Sequence, residues 1–317
     1  MTPNLITNST MGDQITEYTD NLEQYLITVA RLFDIQHIIS EPQEKSQIIN
    51  YYVKNKLTYK FLHNWAGFIH FGISYDGRHK KEDLEEQARI VEGYIHDRNA
   101  KNVLELAYGM GANSAFLARR NPGVTFDAID LSLKPLKRFT KIPNLRFQFG
   151  DYHDLSNIED NAYDVVFVVE ALCYSTNKLQ VLREVKKKLK MDGLFVIIDV
   201  YQRDRVTPLS QSEDIMLKLI AKGVSVDKIE CIKDVERYMQ GEYSIIVAKD
   251  YSQYVLPSMI KLESFVSFYF DHPAFAKAVN KFVPFDIVKN AISVYLLPTS
   301  MSRQIGCYYI HVLKNYT

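Results

Sequence analysis

Between residues 98 and 200, short apolar runs alternate with charged segments whose apolar positions recur at helical spacing. The runs are Asn102–Leu106, Thr125–Ile129, Leu145–Phe149, Val165–Val169 and Gly193–Val200. Each has the length of a strand. Val165–Val169 is unbroken Val and Phe, the pattern of a strand covered on both faces. Ser114–Arg120 and Lys178–Leu189 read as helices between them. Strand and helix in alternation predict an α/β fold with a doubly wound, mostly parallel sheet. Two later runs, Ser244–Ala248 and Cys307–Leu313, bring the expected sheet to seven strands.

The flanks follow a different period. Leu22, Leu26, Val29, Ala30 and Phe33 share one helical face and predict a helix within Ile15–Ile39, closed off by Pro42. Gln47–Leu62 predicts a second helix, rich in Tyr. Lys80–Asp97 predicts a third, with Leu84, Ala88, Val91 and Ile95 on its apolar face. Further on, Ser210–Lys222 and Asp227–Met239 read as helices, and Lys261–Val294 is mainly helical and aromatic. The expected organisation is a flexible tail over 1–14, a helical cap segment over 15–97, a nucleotide-binding core over 98–200, and cap helices with the last strands over 201–317.

Composition narrows the function classes. Lys+Arg and Asp+Glu are equal at 38 each, which removes the broad attraction that nucleic-acid binding depends on. No nucleic-acid partner is expected; the run Lys186-Lys187-Lys188 is a local basic patch of the kind usually solvated on an exposed helix. Cys173, Cys231 and Cys307 stand far apart without CxxC spacing, so neither a disulfide framework nor a zinc site is expected. No apolar run approaches the ~20 residues of a membrane span, and the N-terminus lacks a secretory pattern. The expectation is a cytoplasmic monomer or homodimer, without an integral membrane segment, acting on a small molecule. The 21 Tyr and 17 Phe concentrate outside the core, where they either pack a cap or wall a substrate chamber.

Chemistry gathers at the ends of the predicted strands. Val103-Leu104-Glu105-Leu106-Ala107-Tyr108-Gly109-Met110-Gly111 runs from a strand through glycines towards a helix. Glycine permits a tight turn and close approach of a ligand. A helix N-terminus supplies free N–H groups. Such a turn binds nucleotide-like ligands at the carboxyl edge of an open sheet, and by itself it suits NAD, FAD or S-adenosylmethionine. Asp130, before Leu131, ends the second strand, where it can accept from both ribose hydroxyls or cap a helix. Asp151 follows the third strand, where it can accept from an adenine amino group with Tyr152 bordering the ring. Glu170 ends the fourth strand beside the ligand crevice.

These four elements, in this order, resemble the class I S-adenosylmethionine-dependent methyltransferases over Val103–Val200. The family pattern is an acid, GxGxG, an acid ending strand two, and GD after strand three. Here the first glycine is Ala107, which is tolerated where φ stays negative and shifts the loop where φ is positive. Tyr108 replaces a frequent Cys and can close over the cofactor. The resemblance implies a Rossmann-like sheet and S-adenosylmethionine as cofactor, with Glu105 under the loop reaching the methionine amino group. It implies no metal, although a diphosphate substrate can bring magnesium.

Tyr51-Tyr52, His70-Phe71-Gly72, the run Glu170-Ala171-Leu172-Cys173-Tyr174, and the segments around Pro257 and Asn290–Lys314 are similar to the tocopherol and sterol methyltransferases, a group with relatives acting on amines and alkaloid nitrogen. By that resemblance Tyr52 contacts the methionine carboxylate or substrate, or is a core tyrosine. His70 binds substrate, acts as a base, or is structural. Glu170 is a base or a helix cap. The implied reaction is methyl transfer to a small apolar or isoprenoid-like molecule. The alternatives are N-methylation of an amine, a nucleotide-dependent oxidoreductase, and a catalytically inactive cofactor-binding protein.

Overall fold

The computed structural model describes residues 18–19, 21–41, 66–131 and 135–316. Its centre is a seven-stranded sheet ordered β3-β2-β1-β4-β5-β7-β6. The strands are β1 (Asn102–Leu106), β2 (Thr125–Asp130), β3 (Leu145–Phe149), β4 (Tyr163–Val169), β5 (Leu189–Gln202), β6 (Ser244–Asp250) and β7 (Gly306–Lys314). β1 to β5 pair in parallel, and β7 enters antiparallel between β5 and β6. The expected α/β sheet, mostly parallel, is therefore observed. The strand order reverses between β1 and β4, which opens the crevice where such sheets bind ligands.

Side chains alternate across this sheet with period two. Val165 and Phe167 of β4, with Val196 and Ile198 of β5, face one layer of helices. Val166 and Val168, with Phe195 and Ile197, face the other. All eight are fully buried, and each contributes about 1.5–3 kcal/mol on leaving water. The first layer includes α3 (Glu86–Asp97) and α4 (Ala112–Arg120); the second is α5 (Lys178–Lys188) and α7 (Ile232–Glu242). Lys188 ends the basic run on α5, but it is buried and its Nζ donates to Ile158 O at 2.8 Å, so the run is not one exposed patch.

A third core lies beyond the carboxyl ends of the strands. It joins α1 (Leu22–Ala30) and α2 (Ile35–Ser40) to α6 (Gln211–Gly223), α8 (Ser252–Asp271) and α10 (Phe285–Ser302). Leu22, Val29, Ile38, Met216, Ile220 and Ile292 form its centre. α9 (Pro273–Phe282) lies between α8 and α10 in sequence. Phe270 and Tyr295 stack there at 4.1 Å between ring centroids.

Several element boundaries differ from the sequence pattern. The expected helix over Ile15–Ile39 breaks in two, because Asp34 accepts the His37 N–H at 3.0 Å and starts α2 afresh. Lys80–Asp97 begins with a 3₁₀ turn, Lys81–Glu85. α7 starts at Ile232 rather than Asp227, since the preceding backbone pairs with the end of β5 through Gln202 N–H to Glu230 O at 2.9 Å. The aromatic stretch after Lys261 splits at Pro273, which sits in the first turn of α9, and at Pro284. The helix expected over Gln47–Leu62 lies outside the described residues.

The close approach of α6 and α10 depends on Gly223. A Cβ there would stand 2.0 Å from Ser293 Oγ and 2.8 Å from Lys289 O. Gly223→Ala should therefore lower stability by about 1–3 kcal/mol through overpacking, read as a fall in Tm. An unchanged Tm would mean that the two helices part without cost.

Candidate active site

From Leu106 the chain turns through the glycine loop into α4. Ala107, Gly109 and Gly111 all take left-handed torsions, with φ of +55°, +57° and +83°. A Cβ on Gly109 would lie 2.5 Å from Ile69 Cδ1, and one on Gly111 2.7 Å from the Phe147 ring. The loop is closed by three backbone N–H groups. Tyr108 donates to Ile129 O at 3.2 Å, Gly111 to Tyr108 O at 2.7 Å, and Gly109 to Asp130 Oδ2 at 2.8 Å. The loop keeps its path with Ala107 in the positive-φ state, which costs an alanine about 1–2 kcal/mol. Tyr108 is buried with its ring edge-on to Phe147, 4.8 Å between centroids.

Glu105 lies beneath this loop. Its Oε2 accepts from the Ser114 N–H at 3.1 Å and from the Ser114 hydroxyl, and its Oε1 from Asn113 Nδ2 at 3.4 Å. The side chain thus ties β1 to the first turn of α4. Burial raises its pKa to about 7, against the pull of those hydrogen bonds. Across the crevice, Asp130 ends β2 with Leu131 next to it, and Asp151 and Tyr152 follow β3; all four line the same cavity as Glu105. Asp151 Oδ1 accepts the His153 N–H at 2.9 Å and lies 2.7 Å from His153 Nδ1. The Tyr152 hydroxyl donates to Ala171 O at 3.1 Å. Tyr52 lies outside the described residues.

Glu170 ends β4 in the left-handed conformation, φ +47°, while its N–H still donates to Ile198 O at 2.7 Å. The strained torsion lets the residue leave the strand and face the cavity. Glu170 Oε1 accepts from the Phe71 N–H at 3.0 Å and the Tyr308 hydroxyl at 2.8 Å. Burial nevertheless pushes its pKa up to about 8, with the nearby Asp199 carboxylate adding to the rise. His70 Nδ1 lies 3.0 Å from Phe71 O, and its Nε2 3.1 Å from Asn113 Oδ1. Burial lowers the His70 pKa, against the pull of these two oxygens.

Three residues of this network were not singled out by the sequence pattern. Gln87 of α3, fully buried, donates from Nε2 to Phe71 O and to the Tyr308 hydroxyl at 3.2 Å. Tyr308 of β7 reaches Glu170 across the sheet. Asp199, buried on β5, accepts from the Cys173 N–H at 2.9 Å and the Val200 N–H at 2.8 Å. Asp199 had a signal, being an acid inside the apolar run Leu194–Val200.

One cavity, of about 230 Å³, joins Glu105, Asp130, Asp151, His70 and Glu170 to the cap, with Gln87, Asp199 and Tyr308 behind its wall. Its sheet side carries Glu105, Asp130, Asp151 and Glu170. Its cap side is mainly aliphatic, with Leu217, Ile220, Val226, Leu262, Val294 and Leu297, and also carries the polar side chains of Asn290 and Ser300. The lining rings of Phe68, Phe71, Tyr108, Tyr152, Tyr174 and Tyr201 belong to the sheet side, while cap aromatics such as Phe270 and Tyr295 pack the third core. No Lys or Arg is found among the described lining residues. The four carboxylates on the sheet side favour a cation in the cavity.

The model of the methyltransferase-domain family matches residues 104–197, from β1 into β5. This core is a class I methyltransferase domain. The methyltransferase assignment displaces the oxidoreductase alternative for the glycine turn. The demethylmenaquinone methyltransferase of Thermotoga maritima is 31% identical over 119 residues, which is 37% of this chain and 51% of that protein. The chain spans about half the length of the curated relatives it matches, 41% to 51% for the first of them. Among solved structures, the cyclopropane synthase MmaA2 from Mycobacterium tuberculosis superposes with a TM-score of 0.70 at 11% identity, covering 87% of this chain and 100% of that one. The geranyl diphosphate C-methyltransferase from Streptomyces coelicolor, solved with Mg2+, geranyl diphosphate and S-adenosyl-L-homocysteine, gives 0.59 at 15% identity, covering 87% and 99%. Both have the fold of this methyltransferase domain.

Two outcomes follow from the geometry. Ala107→Gly should stabilise the methyltransferase domain by about 0.5–1 kcal/mol, because glycine adopts positive φ without strain. Thermal denaturation measures it, and a lower Tm would refute strain at Ala107. The second concerns pH. Glu170 has a folded pKa near 8 against 4.5 for the ordinary group, so its contribution is fully present below about 4.5 and is lost as pH rises through 8. Glu170→Gln should therefore gain in Tm relative to wild type from pH 5 to pH 8.5. A constant difference would mean that the carboxyl is not displaced.

Proposed function

We propose that the protein transfers the methyl group of S-adenosyl-L-methionine to a carbon of a neutral, apolar small molecule of isoprenoid or lipid type, with Glu170 as the base. The observation that carries this reading is Glu170 opening into a cavity whose opposite wall is mainly aliphatic. The residues fit the cofactor. Asp130 sits at the loop and lines the cavity where a ribose diol would donate to its carboxylate. Asp151 would accept from the adenine amino group, with Leu131 and Tyr152 beside the ring. Glu105, Ala107, Gly109 and Gly111 would form the floor under the methionine part. Tyr52 is assigned to the methionine carboxylate by resemblance alone. When bound, the cofactor supplies an electrophilic methyl group on a sulfonium.

The chain's own residues then have three tasks. The aliphatic wall holds the acceptor and excludes water. Methyl addition to one alkene carbon would leave the cation on the other. Glu170 would take a proton from a carbon beside that cation, whose C–H electron pair restores the double bond. Both its recorded hydrogen bonds fall on Oε1, leaving Oε2 as the oxygen for that proton. A pKa near 8 makes it a stronger base than an ordinary carboxylate, and a positive charge in the chamber draws the pKa down so that the ionised form is available. His70, with both nitrogens beside oxygens, acts as a positioning group for Phe71 and Asn113 rather than as a base.

Glu105, Asp130, Asp151 and Glu170 line the sheet side of the cavity. The same acids favour a second reading, N-methylation of a cationic amine. The mainly aliphatic cap wall favours the first reading, while the six lining rings could serve either acceptor.

A labelled-methyl assay tests the reading against panels of prenylated quinols, isoprenoid alkenes, unsaturated lipids and amines. The expected product is a C-methylated apolar acceptor. Glu170→Gln should lower kcat by about 100- to 10,000-fold with cofactor affinity retained, and the wild-type rate should climb with pH through the base's pKa. Wild-type turnover in Glu170→Gln would remove the base role. Label in amines alone would establish the second reading.

A further inference from the structure

The outer face of the cap carries an aromatic and basic surface. Phe265 and Phe268 of α8 are 53% and 56% exposed, and Phe275 and Phe282 of α9 are 48% and 87% exposed. Exposed phenylalanine in this concentration marks an interaction surface. Phe268 and Phe275 meet edge-on at 5.4 Å between centroids, so the two helices present one continuous patch. On α9 the two phenylalanines are seven residues apart and fall on one side of the exposed face, while Lys277 and Lys281, four apart, fall on the other. Lys261 extends the basic rim, its Nζ 4.8 Å from the Phe265 ring centroid. Within Ser252–Phe285 the acids are Glu263, which is buried, and Asp271, which is exposed.

We infer that this α8–α9 face docks the protein on the surface of an anionic lipid bilayer. Rings that enter the boundary between headgroups and acyl chains, with lysines reaching the phosphates, are what such a surface selects. A second copy is a poorer occupant, because a two-fold pairing of this face brings its lysines towards one another. The placement also has a use. Leu262, between Lys261 and Phe265 on α8, lines the cavity, so the helix that meets the bilayer is also a wall of the apolar chamber. The docking does not depend on the proposed reaction and is measured without it.

The test is co-sedimentation of the full-length protein with vesicles of pure phosphatidylcholine and of phosphatidylcholine with phosphatidylglycerol. Binding is expected to the anionic vesicles only, falling as NaCl is raised from 50 to 500 mM, as screening requires. Phe268→Ser/Phe275→Ser/Phe282→Ser should abolish it with an unchanged circular dichroism spectrum. Lys277→Ala and Lys281→Ala, which leave the rings in place, should each weaken it about fivefold. No binding to either vesicle would overturn the proposal, as would equal binding by the variants or equal binding to neutral vesicles. A dimer that the phenylalanine variants convert to monomer, without vesicle binding, would assign the face to a second copy and overturn it equally.

Discussion

Glu170 Oε1 accepts one hydrogen bond from residue 71 and another from residue 308, so a single oxygen joins segments near the two ends of the chain to the end of the fourth strand. Gln87 then braces both donors, through Phe71 O and the Tyr308 hydroxyl. Without these bonds the carboxyl would be buried and unmatched, at a cost of several kcal/mol if ionised. The left-handed torsion at Glu170 persists for the same reason: the contacts around it determine it more strongly than its own preference does. The site is thereby assembled by the closure of the fold rather than by any one segment.

Electrostatics around this oxygen follow a consistent plan. Glu105 and Glu170 are both pushed up by burial, to about 7 and about 8, and Asp199 is raised as well. No Lys or Arg among the described lining residues relieves Glu105 or Glu170, while Lys178 partly relieves Asp199. The cavity is a place where negative charge is costly, so a bound cation would offset part of that cost.

Much of this was legible in the sequence. The runs Val165–Val169 and Gly193–Val200 are apolar at every or nearly every position because helices cover both faces, and that signal needs no tertiary knowledge. Glu105, Asp130 and Asp151 were readable because the ends of parallel strands share one edge, so spacing alone brings them to a common cavity. The torsion at Ala107 was not readable, since it is set by where Asp130 and Ile129 hold the loop. Neither was the meeting of Phe71, Glu170 and Tyr308, whose separations along the chain are 99 and 138 residues. Aromatic content was ambiguous for a physical reason: Phe270 and Tyr295 have the same composition signal whether they stack on each other, as they do, or face a substrate.

The mainly aliphatic cap wall has a consequence for selectivity. A surface of Leu, Ile and Val recognises a guest by expelling water from it, and each methylene so transferred is worth only about 0.8 kcal/mol. Apolar pockets therefore separate homologues by about 10- to 200-fold, whereas sites built from paired hydrogen bonds reach far greater ratios. Under the proposed reaction, fidelity would reside in the geometry at Glu170, and the opposite end would grade guests by length.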